Sequence, residues 1–95
     1  MFINIPESGP PTLEDCDNFK AFKIVTGADA PAASFAEIGR LDGEHVWVNT
    51  VWLKANGRAE DAAWLAGLDK MLGYAKGAGW LDDSGAVRAH IESAP

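Results

Sequence analysis

Near the end of the chain, Arg88, His90 and Glu92 alternate with Val87, Ala89 and Ile91. In an extended strand that alternation puts the ionisable side chains on one face and the apolar ones on the other. A histidine held by a carboxylate can act as a base near neutral pH, and an arginine can fix an anionic group. The row therefore carries one chemical expectation, an isomerase- or lyase-like site with His90 as base. Glu92 would orient that histidine and Arg88 would anchor an anionic substrate. The competing expectation is the wet side of an antiparallel sheet, where alternating charges are ordinary. Cross-strand ion pairs there contribute about 1 kcal/mol or less.

A second segment, EHVWVNT, shows the same alternation, with Val46 and Val48 set against His45, Trp47 and Asn49. If it pairs with the C-terminal segment, the valines join Val87, Ala89 and Ile91 on one face. His45, Trp47 and Asn49 then share the other face with Arg88, His90 and Glu92. Trp80, just past a long helical stretch, would rim the same surface. A tryptophan among polar groups suits a ligand pocket or a protein interface, because it offers a large apolar body and one N–H donor. Trp47, His45, Asn49 and Trp80 are accordingly the expected ligand or interface residues. Trp64 and Trp52 are expected in the core.

Stronger motifs are absent. The chain has no phosphate-cradling glycine loop, no cysteine pair and no His-x-x-x-His, so no metal or cofactor is expected. Its formal net charge of −6 argues against nucleic acid and against an anionic membrane. Cys16 alone cannot form an internal disulfide, and the opening MFINIPESGPP lacks the charged and apolar regions of a signal peptide. A cytoplasmic location follows as the expectation. The partners expected are a second copy or another protein, with a small apolar or anionic ligand as a further candidate.

The elements that must position these residues can be read from local pattern. FINI at 2–5 suits an edge strand stopped by Pro6. The following PESGPPTLEDCDN has four acids and no base, so residues 1–18 read as an acidic, proline-rich arm. Such an arm could also engage a basic partner. Residues 19–95 read as one domain. NFKAFKIVTG at 18–27 favours a mostly buried strand, with a helix from Thr12 as the alternative. ADAPAASFAEIGRL has the punctuation of a short helix, with Asp29 as N-cap, Pro31 in the first turn and Gly39 at its end. The rival is a hairpin arm turning at Asp42-Gly43 by a type I′ turn. NTVWLKANG either continues the Trp47 strand or, as the Asn-Thr pair favours, turns into a short helix capped by Asn49 or Thr50 and ended by Gly57. Residues 58–76 form a long amphipathic helix, with Trp64, Leu65, Leu68, Met71, Leu72 and Ala75 in one apolar stripe.

The expected fold is α+β, a small antiparallel sheet of three or four strands with the long helix across one face. The alternative is a ferredoxin-like βαββαβ arrangement. The functional expectation is a small non-catalytic binding or accessory domain, dimeric through the sheet face that holds Trp47. The isomerase- or lyase-like enzyme is the alternative.

Overall fold

The computed structural model describes residues 1–27 and 32–93. Six strands form one mixed sheet: β1 (Phe2–Ile5), β2 (Thr12–Glu14), β3 (Lys23–Thr26), β4 (Gly39–Asp42), β5 (His45–Val48) and β6 (Val87–Ser93). Three helices accompany it: α1 (Ala32–Ile38), α2 (Thr50–Asn56) and α3 (Ala62–Gly77). The strand order is β2-β1-β3-β6-β5-β4. β1 and β3 pair in parallel, as do β3 and β6, and the remaining neighbours are antiparallel. Among the described residues, no helix is long and apolar enough to cross a membrane.

This corrects the expected small antiparallel sheet with one long helix. The α+β class stands, but the sheet is mixed and has six strands in place of three or four antiparallel ones. The ferredoxin-like alternative also fails. From β3 to β6 the elements do follow a βαββαβ order, but the connection from β5 runs through two helices, α2 and α3. β6 thereby returns antiparallel to its neighbour β5 and parallel to β3, and it lies between them. A ferredoxin-like sheet is antiparallel throughout and places its first strand between the third and the last.

The largest difference lies in the first eighteen residues. They do not project as an arm: β1 pairs on both sides, with β2 and β3. Met1, Ile3, Ile5 and Leu13 are buried in the common core. Only Leu13 of β2 is buried, between exposed Thr12 and Glu14, so this three-residue strand hides in an acidic, proline-rich run. Asp17 reaches Arg58 at 2.8 Å, and the Cys16 carbonyl accepts from the Trp64 indole N–H at 2.9 Å. An N-terminal segment so engaged is part of the body of the fold.

The competing readings of residues 32–42 describe successive parts of the same segment. α1 runs to Ile38 and β4 begins at the next residue. Asp29 and Pro31 lie outside the described residues. Gly39 is required by close approach, because a Cβ there would overlap the Trp47 carbonyl oxygen. Gly43 and Glu44 link β4 to β5. Among the described residues of this turn only Gly43 has positive φ, at 60°, the pattern of a II′ turn in place of the expected I′.

Asn49 caps α2, accepting from the Val51 N–H at 2.8 Å. α3 starts later than the pattern predicts, because Asp61 is its N-cap, accepting from Ala63 and Trp64. Of the two glycines inside α3, Gly67 faces the Phe19 ring closely, whereas Gly73 faces open space. Each helix adds to one core: Ile38 from α1, Leu53 from α2, and Trp64, Leu68 and Ala75 from α3. Their sheet partners are alternate strand residues such as Ile24, Val46, Val48, Val87 and Ala89. The intervening strand residues therefore form a second face, and among the described residues the buried helix side chains all lie on the other.

Candidate functional site

The register of β5 against β6 pairs His45 with His90, Val46 with Ala89, and Trp47 with Arg88. The two face assignments follow from it: the valines and Ala89 are buried, and the histidines, Trp47 and Arg88 share the other side. The imidazole rings meet edge to face at 5.2 Å between centroids. Arg88 Nη2 lies 3.2 Å from His45 Nδ1. A guanidinium can only donate, so Nδ1 is the acceptor in this contact.

Glu92 does not join this cluster. The parallel register sets Lys23 beside His90 and Val25 beside Glu92, and Lys23 Nζ reaches the Glu92 carboxylate at 3.0 Å. Among the described residues neither histidine bonds to a carboxylate. The pairing that would make His90 a carboxylate-held base is not formed.

Trp47 and Asn49 are committed locally. The Trp47 indole N–H donates to Asp42 Oδ2 at 3.1 Å, and the Arg40 guanidinium lies 5.8 Å from the ring centroid. Asn49 uses its side-chain oxygen as the α2 cap. Both border a shallow depression of about 270 Å³ that also meets Asp82 and Ser84. There Asp82 accepts from the Ser84 hydroxyl at 2.6 Å and from the Ser84 and Ala86 N–H groups at 2.9 Å. The Ser84 hydroxyl, with help from the Ala86 N–H, holds the Asp82 carboxyl below the usual carboxylate range. This is an Asx-type turn that launches β6, a structural task.

Trp80 is placed differently. Its N–H donates to the Ala75 carbonyl and its carbonyl accepts from the Arg88 N–H, both at 2.8 Å. Leu81 bridges Val87. The first residues of β6 therefore have residues 80–81 as their neighbour, and β3 takes over from His90 onward. A cleft of about 430 Å³ opens where β6 passes from one neighbour to the other. Residues 19–22 form one wall, and Met71, Tyr74 and Ala75 of α3 form another. Trp80, Val87, Arg88, His90 and His45 complete the lining. Tyr74 and Trp80 stand edge to face, 6.5 Å apart between centroids.

Of the residues expected at the site, His45, Trp80, Arg88 and His90 line this cleft; Glu92 and Asn49 do not, nor does Trp47, although it pairs with Arg88 across the strands. Sequence reading missed Phe19, Lys20, Phe22, Met71 and Tyr74. Two signals were available: NFKAF had no cleanly polar face, and Tyr74 falls off the apolar stripe of its helix. Compared with models of known protein families, with curated proteins and with solved structures, the chain gives no match.

Proposed function

We propose that this chain is a small, non-catalytic binding domain that takes a small, largely apolar ligand in the cleft beside β6. The observation that carries this is the cleft itself: about 430 Å³, lined by Phe19, Phe22, Tyr74 and Trp80 together with Lys20, Arg88 and two histidines. That size and mixture are typical of small-molecule sites. An isomerase or lyase using His90 draws less support, because Glu92 is engaged by Lys23. Trp80 is 45% exposed, so an occupant would alter its surroundings directly. A small-molecule screen by tryptophan fluorescence is expected to give saturable changes. Ala21→Trp, which fills the cleft from an exposed lining position, should abolish them. Hits bound equally by the filled variant would place the ligand elsewhere and defeat the proposal.

A homodimer through the Trp47 side of the sheet is the second reading. Its support is that, among the described residues, the buried helix side chains all lie on one face, while Phe2, Val25 and Trp47 sit half-buried on the other. Sedimentation should then give a dimer for the natural chain and a monomer for Trp47→Ala. A natural chain that sediments as a monomer at high micromolar concentration removes this reading.

A further inference from the structure

The polar part of the cleft lining is one-sided. Lys20, Arg88 and both histidines contribute to it, and among the described residues no acid does. Yet the chain holds fourteen Asp and Glu against eight Lys and Arg. A lining drawn indifferently from this composition would contain more acids than bases. Three carboxylates on the strands around the cleft and in the turn before β6 are engaged elsewhere: Glu92 by Lys23 at 3.0 Å, Asp42 by the Trp47 indole N–H at 3.1 Å, and Asp82 by its own turn and by Arg40 at 3.7 Å. Among the described residues, the side-chain partner of Arg88 is an imidazole nitrogen. That contact engages Nη2 alone and leaves the other guanidinium N–H groups free to donate.

Resting on the reading of the cleft as a binding site, we propose that its ligand is a planar aromatic carboxylate. The ring would lie between Phe19 and Phe22 on one side and Tyr74 and Trp80 on the other. The carboxylate would meet the Arg88 guanidinium. Two parallel N–H donors of a guanidinium match the two oxygens of one carboxylate, and such charge-assisted pairs are about twice as strong as neutral ones. Apolar walls strengthen the pair by lowering the local dielectric. His45 acts here as a positioning residue that orients the guanidinium through its Nδ1 contact. Lys20, exposed at the mouth, adds attraction at longer range.

The test is calorimetric titration of the natural chain with cinnamate, its neutral isostere cinnamamide, and the cationic cinnamylamine. Cinnamate should bind at least about tenfold more tightly than cinnamamide, the gain expected of one charge-assisted pair, with cinnamylamine weakest. Arg88→Met, with folding checked by circular dichroism, should bring cinnamate down to the level of the amide. Equal binding of cinnamate and cinnamamide by the natural chain overturns the carboxylate proposal and leaves the cleft as a binding site. A preference for cinnamylamine overturns it likewise, and retention of the cinnamate preference by Arg88→Met removes Arg88 as the anchor. Failure of all three compounds to bind counts against the cleft reading itself. The comparison within the natural chain does not depend on any variant folding.

Discussion

Trp64→Ala is expected to destabilise the chain by about 3–5 kcal/mol, the usual cost of deleting a large buried aromatic. Trp64 is 3% exposed, and its ring fills the space that Gly57 leaves open. It packs at 6.3 Å between centroids on Phe19, and its indole N–H bonds the Cys16 carbonyl at 2.9 Å. One side chain thus ties α3 to the loop after β2 and to the wall of the cleft. Small domains have roughly 5–15 kcal/mol in total, so this loss alone should leave a large unfolded population at moderate temperature. The check is the urea midpoint of unfolding, read beside Trp64→Phe. Phenylalanine keeps most of the apolar contact and loses the N–H, so its midpoint should fall between the other two. A midpoint for Trp64→Ala within experimental error of the natural chain would show that the indole does not hold these segments together.

Gly39→Ala is expected to cost about 3 kcal/mol, at the upper end of what overpacking does, because the obstacle is backbone. The new methyl would overlap the Trp47 carbonyl oxygen of β5, which cannot rotate away as a side chain could. β4 would have to separate from β5, taking with it the support that Asp42 and Arg40 give Trp47. Hydrogen exchange should report this as fast exchange confined to the paired amides of residues 39–48. Gly73→Ala is the matched control. Gly73 lies in α3 with nothing within 4 Å of an added Cβ, so alanine there should stabilise by up to about 1 kcal/mol. Opposite signs at two glycines would separate steric demand from helix propensity. A neutral Gly39→Ala would mean that β4 and β5 have room to move apart.

Several parts of the site were legible because they depend on neighbours a few residues away. The alternation of 45–48 and of 87–92 was enough to sort buried valines from the histidines of the other face, and the pairing of these segments places His45, Arg88 and His90 on one surface. Asn49 was recognisable as a cap, though its capping duty is also what withdraws it from the surface. Glu92 was misassigned for a non-local reason. Its partner, Lys23, sits on a strand 69 positions earlier, and parallel pairing carries no turn signal that would announce it. The cleft was illegible for the same reason, since it lies between residues 19–22, 71–75, 80 and 87–90, which meet only after β6 is inserted beside β3.

The amino-acid sequence by itself determined the long helix and its apolar stripe, the cap and stop of α2, and which residues of β5 and β6 face inward. These follow from side-chain period and from backbone groups satisfied within a few residues. Only the tertiary structure decided that the proline-rich opening belongs to the core, that β6 runs between β3 and β5, and that both histidines line a cleft with Arg88. Strand order is settled by burial summed over the whole chain. A three-residue strand with one apolar side chain gains its stability from that sum and leaves almost no trace in its own composition.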